Sequence, residues 1–130
     1  MNLNLGLENL ARFLFHKGDF SREKNEVKPR AFTPNRHNQT SVFMVRALAD
    51  QQIWEIGLND VAPLRNGTLK GRAEVEELSV EQVGLKVIPD RKDHPLHANI
   101  EGWPNEKEER MRIRQDLASL ATLKIYNQSA

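Results

Sequence analysis

Cysteine is absent from the 130 residues, which excludes disulfides, thiolate metal sites, iron–sulfur clusters and cysteine nucleophiles. Any catalyst must therefore draw on His, Ser, Thr, Tyr, Lys or a carboxylate. Aromatic residues make up only 6% of the chain, and neither charge sign dominates: the formal net charge is +1. No apolar run approaches the roughly 18 residues that a membrane-crossing helix needs. The opening Met1 to Glu8 has no basic start, and Asn2, Asn4 and Glu8 interrupt its apolar residues, so it does not read as a secretory signal. No P-loop, Rossmann fingerprint or zinc ribbon occurs, and nothing points to a cofactor. The expectation is a soluble, cytoplasmic protein.

What is present suits one compact domain spanning 1–130, with 38% hydrophobic residues to form a modest core. The first fifteen residues read as a short helix or turn leading into a strand that ends near His16, followed by a Lys17-Gly18-Asp19 turn. Pro29 and Pro34 push the residues between them toward extended geometry. Residues 40–45 are rich in β-branched and aromatic side chains and read as a central strand. Asp50 is placed to cap a helix over 51–58, with a strand at 53–56 as the alternative. A strand is expected over 68–78, a single capped turn at 79–82, and another strand over 85–89. From Asp90 to Trp103 no periodicity survives, so this stretch reads as one long loop. A C-terminal amphipathic helix begins at Pro104 with Ile113, Leu117, Leu120 and Ala121 as its apolar stripe, and a last strand follows at 124–126. Strands with helices grouped at the ends indicate an α+β fold with a mainly antiparallel sheet.

Charge is distributed unevenly. Residues 1–46 carry eight Lys/Arg against four Asp/Glu, whereas residues 47–90 carry four against eight. Within the basic third, Lys28, Arg30 and Arg36 are candidates to hold phosphate, joined by Arg72 on a strand face. The alternatives are a solvated loop for the first three and an internal salt bridge to Glu74 or Glu76 for Arg72.

Among the four histidines, His94 and His97 lie closest in sequence. Two imidazoles can divide proton removal from proton delivery, which makes them candidate catalytic residues. Metal chelation would need a third ligand such as Asp90 or Asp93, and no metal is expected. Trp103, in a Gly-Trp-Pro turn, is a candidate for stacking on a base, against the alternative of packing under the loop. Ser21 and Ser41 are the obvious hydroxyl nucleophiles, but neither lies in a Gly-x-Ser-x-Gly elbow, which argues against covalent catalysis.

Residues 27–34 (VKPRAFTP), Ser41-Val42-Phe43, Gly71-Arg72-Ala73 and residues 97–104 (HANIEGWP) together resemble a group of small bacterial proteins. The resemblance implies a bacterial cytoplasmic protein and no mechanism. A fainter similarity, in the order of a basic strand, a Ser-containing strand and a Gly-Arg-Ala strand, is to compact ADP-ribosyltransferase folds, which would imply NAD binding. The leading expectation is binding of RNA or a nucleotide phosphate, in its boldest form metal-independent RNA cleavage by His94 and His97. The alternative is a non-catalytic partner protein of the immunity, antitoxin or regulatory kind, meeting a complementary charged surface.

Overall fold

The computed structural model describes residues 8–127, so the expected helix or turn at the very start falls largely outside the described residues. Eight strands alternate with three α-helices: β1 (Asn9–Leu14), β2 (Phe20–Ser21), β3 (Glu26–Val27), β4 (Thr40–Met44), α1 (Asp50–Glu55), β5 (Gly71–Glu76), α2 (Glu77–Gln82), β6 (Lys86–Pro89), β7 (His97–Glu101), α3 (Lys107–Leu120) and β8 (Thr122–Ile125). Six strands form one sheet in the order β6-β7-β4-β1-β5-β8, and every pairing is antiparallel. The expected α+β class and C-terminal helix are present. Among the described residues no helix is long and apolar enough to cross a membrane.

Period-two alternation along β1 sorts its side chains between two cores. Leu10 and Leu14 join Val42, Val75, Ile100 and Leu123 beneath α2 and α3, while Ala11, Phe13 and Phe15 join Phe43, Ile53 and Val61 on the opposite face. A helical arm covers that second face. It begins as α1, continues as a π-helical turn (Ile56–Val61) and ends in a 3-10 turn (Ala62–Leu64).

Several local expectations give way to packing. Pro29–Phe32 is a 3-10 turn and not extended, because Ala31 and Phe32 are drawn into the core and Ala31 and Ser41 offer their carbonyls to Arg12, through Nε at 3.0 Å and Nη1 at 2.9 Å respectively. Asp50 is the first residue of α1 and not its cap; the Ala49 N–H is satisfied by Gln52 Oε1 at 2.8 Å. The strand expected over 68–78 is shorter, since the chain turns into α2 at Glu77. On α3, Ala118 joins Ile113 and Leu117 in the core, whereas Leu120 is 48% exposed. The largest correction falls in the supposed loop 90–103. Its second half is β7, an interior strand whose Ala98 and Ile100 are fully buried.

The arm is clamped to the sheet by Arg72, 2% exposed on β5. Its Nη2 donates to Asp50 Oδ1 and its Nε to Glu74 Oε2, each at 2.6 Å, and its guanidinium lies 4.4 Å from the Trp54 ring centroid. Trp54 in turn packs on Tyr126 at 5.0 Å. Two carboxylates and a ring face offset the cost of burying the charge. Below the clamp the arm presses close: a Cβ at Gly57 would stand 2.7 Å from Phe13 Cε1 and 3.0 Å from Leu69 Cδ2.

Two outcomes follow from this arm. Gly57→Ala should cost about 1–3 kcal/mol by overpacking against Phe13, read as a lowered midpoint in urea unfolding. The Arg72 hydrogen bond holds the Asp50 carboxyl below its ordinary 3.8, opposed by desolvation and assisted by the charges of Arg72 and Lys124 and by the Trp54 indole. A depressed carboxylate stabilises the fold fully above pH 3.8 and loses that contribution as pH falls through the lowered value. Asp50→Asn should therefore flatten this part of the acid limb in unfolding measured against pH, and an unchanged acid limb would refute the assignment.

Candidate functional site

The β6–β7 hairpin and β4 build the site. Asp90 N–H donates to the His97 carbonyl at 2.9 Å, closing the hairpin beyond Pro89. That closure sets the Asp90 carbonyl against the His97 ring, at 3.1 Å from Nδ1. A carbonyl only accepts, so in the neutral imidazole the proton sits on Nδ1 and Nε2 carries the lone pair. Pairing of β4 with β7 places Phe43 opposite His97 and Ser41 opposite Asn99, so Ser41 and His97 are diagonal neighbours on the same sheet face. Ser41 Oγ lies 2.7 Å from His97 Nε2 and donates its hydroxyl proton to it. The Asp90 carboxylate stands further off, with Oδ2 at 3.9 Å from Nδ1. A hydroxyl, an imidazole that accepts from it and a carbonyl that orients the imidazole are thus in sequence of contact, the arrangement that an activated nucleophile requires.

His94 has the opposite tautomer. Leu96 N–H donates to its Nδ1 at 3.0 Å, so its proton sits on Nε2, which donates to Asp60 Oδ2 at 3.0 Å. Phe43 meets both rings edge-on, with centroids at 5.1 Å from His94 and 5.5 Å from His97. A cavity of about 440 Å³ opens above them, walled by Ser41, His94 and His97 on one side and by Asp60, Leu64 and Arg65 of the arm on the other. Leu64 is 83% exposed at its lip. An imidazole nitrogen that accepts from the Ser41 hydroxyl, a second imidazole held by Asp60 and one guanidinium share this space, a set that can move the hydroxyl proton and stabilise developing negative charge.

The remaining expected site residues do not all converge here. Arg30 lines a second cavity, which Arg65 also borders. Lys28 lies on the α3 side of the molecule, beside Gln115 and Ala118, and Arg36 is exposed in the loop before β4. Neither Lys28 nor Arg36 lines the histidine cavity, because the 3-10 turn between them packs against α3. Arg72 is not a phosphate ligand facing the histidines but the buried clamp of the arm, with both paired carboxylates in contact. Trp103 is no stacking platform: it is 6% exposed within the core, its indole N–H donating to the Ile100 carbonyl at 3.3 Å. Among the described residues no group of three or more His, Asp or Glu is placed to hold a metal ion.

Arg65 is the member that motif reading missed, and Ser41, a hydroxyl candidate in the sequence, is discounted there for want of an elbow. Ser41 lies 56 positions from His97, and no elbow motif announces a serine activated across two strands. The available signal was the alternation of His97, Asn99 and Glu101 with Ala98 and Ile100, which marks a strand and would have set His97 on a sheet face.

Nitrogen-15 spectra of the imidazoles should show a protonated Nδ1 on His97 and a protonated Nε2 on His94. Asp90→Ala should leave the His97 tautomer unchanged, because the orienting carbonyl belongs to the backbone. Loss of the Nδ1 proton in that variant would transfer the orienting role to the carboxylate.

In comparisons with family models, with curated proteins and with solved structures, no match to this chain was found.

Proposed function

We propose that the protein is a metal-independent ester hydrolase or transferase with Ser41 as nucleophile and His97 as general base, acting on a phosphate-bearing substrate such as a nucleotide or RNA. The observation that carries this reading is the 2.7 Å hydrogen bond from Ser41 Oγ to His97 Nε2, on a ring whose other nitrogen is anchored to the Asp90 carbonyl. Attack by Oγ on the ester centre forms the Ser41 ester and passes the hydroxyl proton to His97 Nε2. The departing oxygen takes that proton as its bond to the centre breaks. Water then repeats the sequence in reverse and frees Ser41. Arg65, on the opposite wall, stabilises the charge that develops on the non-bridging oxygens.

A second reading uses the same walls without a covalent step. A ribose 2′-hydroxyl takes the place of Ser41 Oγ at His97 Nε2, and the proton that His97 gains passes to the departing 5′-oxygen as its bond to phosphorus breaks. Its support is the His97 Nε2 lone pair, set by the Asp90 carbonyl and facing a cavity large enough to admit a ribose phosphate.

A fluorophosphonate probe distinguishes the two. In EDTA the native protein should gain the phosphonyl mass on Ser41 with loss of fluoride, and Ser41→Ala and His97→Asn should react at least about a thousandfold more slowly. RNA cleavage that survives in Ser41→Ala but not in His97→Asn would transfer the function to the second reading. No labelling and no cleavage by a folded protein would overturn both and leave a binding module with a protein partner.

A further inference from the structure

We infer that the cavity that shares Arg65 with the histidine cavity, walled also by Arg12, Arg30 and His16, is a binding site for a single phosphate group. Its volume is about 180 Å³, below the roughly 300 Å³ at which clefts begin to enclose a drug-sized molecule, and suited to one tetrahedral oxyanion with a few waters. Three guanidinium groups and one imidazole meet a single carboxylate there, Asp19. Asp19 is engaged at 3.7 Å by Arg30, while Arg12 and Arg65 have no carboxylate within ion-pair distance among the described residues.

Arg12 sits where cations are costly. It projects from the central strand β1, and its Nε and Nη1 are committed to the carbonyls of Ala31 and Ser41. Burial, and then the neighbouring charge of Arg65, push its guanidinium down to about 10, with Asp19 opposing. A dianion in the cavity would relieve that repulsion and accept the charge-assisted, paired hydrogen bonds that guanidinium groups make with phosphate. Arg65 of this cavity also borders the histidine cavity, and Arg12 Nη1 holds the Ser41 carbonyl itself at 2.9 Å. A phosphate bound here therefore shares the Arg65 wall with the histidine cavity. The substrate class this selects, on the reading of Ser41 proposed above, is an ester that carries a phosphate apart from the bond that breaks.

The test is a titration of the Ser41→Ala protein with inorganic phosphate at constant ionic strength, followed by calorimetry and by the arginine Nε–H resonances. Saturable binding is expected, with shifts on Arg12, Arg30 and Arg65, and with affinity lowered about tenfold in Arg30→Gln and in Arg65→Gln. Both side chains are exposed in the fold, and Arg30→Lys, which keeps the charge, should recover part of the loss. A nucleoside monophosphate that binds more tightly than phosphate alone would extend the ligand into the neighbouring cavity; equal affinity would assign the site to free phosphate. Absence of saturable binding, or binding indifferent to both glutamine variants, overturns the inference. Because Ser41→Ala cannot form the covalent ester, that failure is independent of whether Ser41 reacts with the fluorophosphonate.

Discussion

Burial of the Arg72 guanidinium is the constraint on which the docking of the helical arm against the sheet depends. A cation that is 2% exposed is tolerable only with its partners in place, and the three partners come from two elements: Glu74 on the same strand, and Asp50 and the face of Trp54 on α1. Satisfying one side chain thus docks a whole arm against the sheet. Arg72 Nη1 remains buried without a hydrogen-bond partner, a cost that falls on the ring stack and the two short ion pairs. Removing either the charge or its partners would free the arm, and the arm carries Asp60 and Arg65 to the site.

The active-site candidate is a product of antiparallel pairing. A hairpin closure at Asp90 orients one imidazole, the β4–β7 register brings Ser41 diagonally across to it, and Phe43 separates that ring from His94. Arg12 plays a complementary part on the other face, joining the carbonyls of Ala31 and Ser41 and so tying the 3-10 turn to β4. The buried Arg72 and the half-buried Arg12 thus do different things. Arg72 is neutralised by carboxylates and acts as a clamp; Arg12 is bound to carbonyls, and its charge stands beside Arg65 and Arg30 with Asp19 as the one carboxylate of that cavity.

Much of the fold was legible from local pattern, because the strands with β-branched and apolar alternation, such as 40–45, and the helix bearing Ile113 and Leu117 carry their own periodicity. The failures share a cause. His97-Ala98-Asn99-Ile100-Glu101 has polar residues at every second position, and these read as loop until a covering arm gives them a half-buried face. Trp103 and Arg72 were open to two readings each, and burial decided both in favour of structure. His94 and His97 do share one cavity, but with Ser41 and Arg65 beside them and with Lys28 and Arg36 elsewhere.

The sequence by itself determined the chemistry available: no thiol, two histidines close together, a basic first third, and enough alternating apolar residues for an antiparallel α+β domain. It also determined that His94 and His97 would lie near one another, since three residues of chain cannot separate them far. Tertiary structure alone decided which hydroxyl meets which imidazole, which nitrogen carries the proton, and which arginines are neutralised and which are left charged. Those outcomes depend on strand register and on burial, and both arise from contacts between residues tens of positions apart that no local spacing records.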